Sequence, residues 1–352
     1  MANMAQAIRL ALHYGEKHLG VTDIFGEDVG APLGGVFTCT QGLATAWNTP
    51  LDERGIIGTA IGLALAGQKP VAEIQFCDYI FNTIDLLKLA GNSCWTSNGE
   101  FPLSMVVMTP SGAGIHGAPY HSHSFDAIAS HLPGWKIVLP STPVDAYGLM
   151  LAAIEDPNPV LFMAPKALLR IKGEELLPGE PADEKELKEM IDAPIGDRGQ
   201  WKARWPEMGH APIRIGEART VREGGRATIV TYGRYVKLAR NVADRLAAEG
   251  LGETEVIDLR TIYPYDWRAI SASIAKTGRV LFLNEDTEIT NFGEHLLRRT
   301  IEEHYYTLRA RPRLLAGLHV PVIGLAPPLE EASIPQETDI ERELRALLTE
   351  KT

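Results

Sequence analysis

The feature that most constrains this chain is an alternation: short, nearly unbroken apolar runs, each followed by a stretch with helical spacing. In the first half the runs are Thr22–Phe25, Val71–Phe76, Leu103–Met108, Lys136–Leu139 and Val160–Met163. Helix patterns fall near 4–18, 52–66, 79–93, 124–130 and 143–155. Runs that lack polar alternation suit strands buried on both faces, and intervening helices let successive strands run parallel. The fold class expected is therefore α/β, with a helix-covered parallel sheet. A polar, Pro- and Gly-rich stretch from about Ile171 to Gly225 breaks the rhythm, with one helix pattern at Glu184–Ile191. A second set follows: strands Ala227–Tyr232, Glu255–Asp258 and Arg279–Leu283, with helices at 235–248, 266–275, 292–303 and 339–349. The expected division is a first domain over 1–175, an extended connection over 176–225 and a second domain over 226–352.

Several function classes are disfavoured. The net charge of −11 comes with no basic stripe, which argues against nucleic acid and other polyanionic partners. No run approaches the 18 apolar residues of a membrane span, and the N-terminus reads as an amphipathic helix rather than a signal peptide. Cys39, Cys77 and Cys94 are odd in number and lack metal-ligand spacing, so reduced thiols and a cytoplasmic location are expected. Neither a G-x-G-x-x-G after a strand nor a G-x-x-x-x-G-K-[ST] loop occurs. Gly-Asp-Gly is absent too; Gly196-Asp197-Arg198-Gly199 is a near miss without the paired Asn that such a motif needs.

Gly26-Glu27-Asp28-Val29 closes the first strand, followed by Gly34-Gly35-Val36-Phe37 and Cys39-Thr40-x-Gly42-Leu43. Next come Asn48-Thr49-Pro50-Leu51-x-Glu53, then Ala72-Glu73-Ile74-Gln75-Phe76-x-Asp78-Tyr79-Ile80-Phe81 and His116-Gly117-x-x-Tyr120-His121-Ser122. Ile154-Glu155-Asp156-x-Asn158-Pro159 and Val256-Ile257-Asp258-Leu259-Arg260-Thr261 complete the series. In order and spacing these resemble the beta subunits of thiamine-diphosphate-dependent 2-oxo acid dehydrogenases, closest to the branched-chain type, with the pyruvate type next. The resemblance covers about 4–170 and 212–349. It implies a pyrimidine-binding parallel-sheet domain followed by a transketolase C-terminal-like α/β domain. It also implies an alpha subunit, two alpha and two beta chains, with thiamine diphosphate shared between them and magnesium held by the alpha chain. The implied reaction is oxidative decarboxylation of a 2-oxo acid and reductive acylation of a lipoyl group on the acyltransferase component.

Glu53 reads two ways. Asn48 or Thr49 could cap a helix with Pro50 at its first position, and an acid in the first turn suits the helix dipole. The resemblance instead sets Glu53 against the aminopyrimidine ring, where a carboxylate on the ring nitrogen favours the imino tautomer that takes the thiazolium proton. It places Leu51, Gln75 and Tyr79 around the same ring; core packing beside Phe76, Ile80 and Phe81 is the alternative for Tyr79. His121 is a surface histidine or, with His116 and His123, part of a metal cluster; the resemblance makes it a proton donor near bound substrate. Ala153, Asp156 and Asn158, with Leu103, Met105 and Val106, match a structural potassium site, while Asp156-Pro157-Asn158-Pro159 equally reads as a helix-ending turn. Gly55, Gly58 and Gly62 allow another backbone to approach, from a neighbouring helix or the cofactor.

The chain departs from the family's pattern at Asp52, at His123 (usually glutamine), at His319-Val320-Pro321 and in its long connection. A carboxylate at Asp52 matters to Glu53 only if it faces inward. Two other readings remain: the C-terminal half of a split transketolase, and a partner subunit without catalysis. Sugar-phosphate substrates call for basic residues, and Gln75–Phe81 and Ser111–Phe125 contain no Arg or Lys.

Overall fold

Val106–Ser111 (β4) and Val160–Pro165 (β6) are buried along their whole length and pair in parallel, as near-continuous apolar strands should. Around them Asp23–Gly26 (β1), Ala46–Asn48 (β2), Pro70–Glu73 (β3) and Lys136–Val138 (β5) complete a parallel sheet in the order β5-β6-β4-β3-β1-β2. The computed structural model describes residues 1–350 except Ala118, Ile195 and 197–200. Asp197, Arg198 and Gly199 of the near-miss motif lie outside the described residues. The chain divides into two bodies, one of residues 1–111 and 132–215, the other of 112–131 and 216–352.

In the first body Met4–Tyr14 (α1) starts at a capping box between Asn3 and Gln6 and buries Met4, Ile8 and Leu12 against Pro143–Glu155 (α5). Thr142 caps α5, accepting the Asp145 N–H at 3.1 Å, with Pro143 at the first position. Glu53–Leu65 (α2) and Ile84–Thr96 (α3) are the remaining long helices here. The helix expected over 79–93 is a 3-10 turn, Cys77–Thr83, followed by α3. The strands expected at Val71–Phe76 and Leu103–Met108 end at Glu73 and begin at Val106.

The connection is not only loop. Glu184–Ile191 (with the five-residue Asp126–Ser130 as α4, this is α6) buries Leu187 and Ile191, and Leu177 and Met208 join the same core. Arg9 of α1, itself buried, donates to the carbonyls of Thr38 and Ile191 and to Asp192.

The second body holds Arg219–Arg222 (β7), Ala227–Thr231 (β8), Thr254–Asp258 (β9), Thr261–Tyr263 (β10), Val280–Thr287 (β11) and Arg313–Gly317 (β12). Five of these form a sheet in the order β12-β11-β8-β9-β7, parallel except for β7, which runs antiparallel to β9. Sequence patterning does not reveal β7 because none of its residues is fully buried, as at a solvated edge. Its helices are Tyr235–Ala248 (α7), Trp267–Thr277 (α8), Phe292–His304 (α9), Pro327–Ser333 (α10) and Glu337–Thr349 (α11). Among the described residues no helix is long and apolar enough to cross a membrane.

Candidate active site

The carboxyl edges of parallel strands are where open α/β sheets bind ligands, and β1, β2 and β3 deliver one cluster there. After β1 comes Glu27-Asp28, with Asp28 in a left-handed conformation (φ 59°). After β3 come Gln75 and the 3-10 turn bearing Tyr79 and Asn82. After β2 the chain runs through Leu51 to Glu53, the first residue of α2. The expected cap is not made. Asp52 is the residue at the helix start, Asn48 accepts the Gly30 N–H at 2.6 Å, and the Thr49 hydroxyl donates to Pro50 O. Asp52 is exposed, its carboxylate beside the Cα of Gly55.

The half-buried Glu53 carboxylate accepts from Asn82 Nδ2 at 3.3 Å, and Gln75 Nε2 donates to Glu27 O and Asp28 Oδ2, both at 3.3 Å. Arg54 grips Asp85 of α3 at 2.6 and 2.9 Å and the Asn82 carbonyl at 2.8 Å, which seats the start of α2 on the turn. Burial, then Asp28 and Glu53, push the Glu27 carboxyl above its ordinary range. Burial, then Asp78, Glu27 and Glu53, do the same to the Tyr79 hydroxyl. Such a site favours a ligand that brings donors or positive charge. The residues present suit an aminopyrimidine in kind: a carboxylate acceptor at Glu53, a side-chain amide at Gln75 and an apolar side chain at Leu51, 72% exposed. Tyr79 is half-buried and stands edge-on to Phe76, with ring centroids 5.9 Å apart.

Glu27, Asp28 and Asn82 belong to this cluster, yet sequence reasoning does not single them out as site residues. A further carboxyl stands in a quoted motif without any role read for it. Glu73, the last residue of β3, is 4% exposed and is pushed up to about 8 by burial alone. It is near Gly35 and electrostatically coupled to Cys39, whose buried thiol is pushed up to about 12. The visible signal is a Glu that ends an apolar strand.

His121 belongs to the second body, in the loop between β4 and α4. It is half-buried, and a Cβ on Gly117 would stand 2.7 Å from its own, so glycine is required there. His123 lies near Asp286, and its carbonyl accepts the Gly112 N–H at 3.0 Å. Among the described residues no group of three His, Cys, Asp or Glu is arranged to hold a metal ion. The three histidines therefore form no such group.

The six residues matched to potassium come together at the opposite strand edge, where β4 begins. Ser104 Oγ donates to Asp156 O at 2.8 Å, and Val160 N–H to Met105 O at 3.0 Å. The Asp156 carboxylate pairs with the Lys136 ammonium and accepts the Asn158 N–H at 3.0 Å. Leu103, Val106 and Ala153 are buried beside them.

The Transketolase, pyrimidine binding domain family matches residues 2–172, and the Transketolase, C-terminal domain family matches 216–340. The chain is 36% identical over 349 residues to the 2-oxoisovalerate dehydrogenase subunit beta of Bacillus subtilis (strain 168), covering 97% of each. It is 35% identical over 306 residues to the pyruvate dehydrogenase E1 component subunit beta of Acholeplasma laidlawii, covering 85% of this chain and 84% of that one. Among solved structures, a split gene transketolase described as an inactive beta4 tetramer superposes with a TM-score of 0.72 over the full length of both chains. At 18% identity that likeness speaks for the fold alone. The chain belongs to the family of 2-oxo acid dehydrogenase beta subunits, built from a transketolase-type pyrimidine-binding domain and a transketolase-type C-terminal domain.

Proposed function

We propose that this chain supplies the aminopyrimidine half of a thiamine diphosphate site whose diphosphate and magnesium are held by an alpha subunit. The observation that carries the reading is the convergence of Glu53, Gln75 and Tyr79 beside the exposed Leu51, at the carboxyl edge of the sheet. The cofactor, when bound, supplies the electron sink that decarboxylation of a 2-oxo acid requires. Glu53 holds a proton position at the ring nitrogen, and Gln75 and Tyr79 fix the ring in its plane. Asn82 and Arg54 keep Glu53 and the turn in register. His121 serves as proton donor and charge stabiliser toward the substrate. The active species is a two-alpha two-beta assembly in the cytoplasm that passes its acyl group to the lipoyl group of an acyltransferase component. A branched-chain 2-oxo acid is the favoured substrate, since 2-oxoisovalerate is the substrate named for the relative matched over 97% of both chains. In functional terms residues 1–175 carry the ring-binding domain, 176–225 the connection and 226–352 the second domain.

A structural potassium is the last element of the reading, held by carbonyl oxygens from Leu103, Met105, Val106 and Ala153 with Asp156 and Asn158. It has a direct test: exchanging potassium for sodium should lower the melting temperature, and an unchanged melt would leave the turn and the Lys136 ion pair as the whole explanation.

The test of the main reading combines the chain with an alpha partner and a lipoyl domain. Turnover is expected with a branched-chain 2-oxo acid. Glu53→Gln keeps the size of the side chain but not its charge, so thiazolium proton exchange should fall by orders of magnitude while assembly persists. Exchange at the wild-type rate would reduce Glu53 to a helix-start acid.

A further inference from the structure

The loop that carries His121 is fastened near both ends by hydrogen bonds within the second body, most of them from the loop's main-chain N–H groups to carboxylates. At its start Glu285 accepts from Ala113 N, and Glu330 accepts from Gly114 N at 3.0 Å and His116 N at 3.3 Å. The same Glu330 oxygen that takes the His116 N–H also pairs with its ring Nδ1 at 3.2 Å. At the far end Asp286 accepts from Ala127 N at 2.9 Å, and Asp126 accepts from the Tyr232 hydroxyl at 2.9 Å. Glu330 is 4% exposed, and Ala113 packs into a small core with Ile323 and Ile334 on either side of α10.

Backbone geometry makes this arrangement specific. Gly112 (φ 81°) passes so close to Glu285 that a Cβ would meet its carboxylate at 2.6 Å. His116 is held left-handed (φ 50°). A non-glycine residue keeps that conformation only where its surroundings over-determine it, and here Glu330 binds both its N–H and its ring. Charge-assisted hydrogen bonds to an ionised acceptor are about twice as strong as neutral ones. A single buried carboxylate with three donors therefore sets the loop's conformation between Gly114 and His116.

We infer that Glu330 is the positioning residue for His121, holding the loop in the one conformation that aims the imidazole at the substrate, with Glu285 and Asp286 as its supports. This rests on the reading of His121 as the proton donor, and it deepens that reading. Glu330 touches neither substrate nor cofactor and acts only through the loop.

The experiment compares wild type, His121→Ala, Glu330→Gln and the double variant, each assembled with the alpha partner. Lipoyl acylation and thiazolium proton exchange are measured on all four, with amide hydrogen exchange over 112–127. A side-chain amide presents an N–H to one of the donors that Glu330 accepts. Acylation by Glu330→Gln is therefore expected to slow roughly tenfold, less than the roughly 10²–10⁴ that losing the acid–base group itself would cost. Thiazolium exchange should hold at the wild-type rate, and the amides of 113–116 should exchange faster. In the His121→Ala background the same change should cost less than about twofold, because its effect passes through His121. Independent, multiplicative losses would overturn the inference, as would wild-type acylation by Glu330→Gln alongside a slow His121→Ala. Wild-type acylation by His121→Ala would instead overturn the role given to His121 itself. If Glu330→Gln does not assemble, Glu330→Asp carries the same test: it keeps the charge but is one methylene too short to reach both Gly114 and His116.

Discussion

Glu53 and Glu73 are both carboxylates on the same sheet edge, yet their environments give them different chemistry. Glu53, half-buried at a helix start, is available to a ligand. Glu73 lies under the Gly35–Thr40 turn, and burial holds it protonated at neutral pH, near 8 against an ordinary 4.5. A carboxyl whose folded value is raised contributes stability that is complete below its unfolded value and is lost as pH rises through the folded one. Between about pH 4.5 and 8, then, Glu73 makes folding progressively less favourable. Glu73→Gln removes this dependence. Urea melts at pH 5 and 8 should show the variant gaining on wild type by a few kcal/mol at the higher pH, since each tenfold difference in proton affinity between the folded and unfolded chain is worth about 1.4 kcal/mol. A gap that stays the same at both pH values would mean the Glu73 carboxylate is ionised in the folded chain. Glu53, Gln75 and Tyr79 are legible in the sequence because they belong to motifs with fixed local spacing. Glu73 stands in the same motif, but its burial is not legible there, because it depends on a turn some thirty residues earlier in the chain.

At the scale of elements, the connection behaves as a strap on α1 and on the turn after Gly34. Arg9 ties the Thr38 carbonyl to Ile191 and Asp192, Gln41 accepts the Ala193 N–H at 3.0 Å, and Gly42 leaves room for Trp201 and Ala203. That turn packs over Glu73 and precedes β2, so the strap supports the approach to Glu53 without touching it. Arg9→Met keeps the apolar stem but leaves the Thr38 and Ile191 carbonyls without this donor. The expected cost is about 3 kcal/mol, with faster proteolytic cutting between 171 and 215. Unchanged proteolysis and an unchanged melt would make Arg9 a filler of space. The helical stretch 184–191 is legible from its own spacing. Its docking is not, since Leu187 and Ile191 form an apolar face that any hydrophobic surface could cover.

For the whole molecule, the described residues bring Glu53, Gln75 and Tyr79 to one sheet edge but place no group of three His, Cys, Asp or Glu to hold a metal ion. Most of the anchoring of a diphosphate comes from its magnesium and from fixed backbone donors. The isolated chain is therefore expected to bind thiamine diphosphate weakly and to show no decarboxylase activity. Calorimetry on the single chain checks this, and tight magnesium-dependent binding without a partner would defeat the split-site reading. One face of α2 points the same way. A Cβ at Gly58 or Gly62 would meet nothing within 4 Å among the described residues, so no described helix of this chain packs where the glycines allow a close approach.

Rhythm and motif order in the sequence were enough to establish two α/β domains and the family. Those properties depend on side chains a few positions apart, through helix and strand periodicity and through turns of fixed length. The tertiary structure alone decided that the His121 loop belongs to the second body, that β7 runs antiparallel and that the connection is part of the first core. It also decided which carboxylates are buried. Each of these depends on partners brought together by chain closure: Ala113 meets Glu285 across 172 positions, and Gly114 meets Glu330 across 216. Desolvation and buried hydrogen bonds are set by what finally surrounds a group, and no local pattern carries that information.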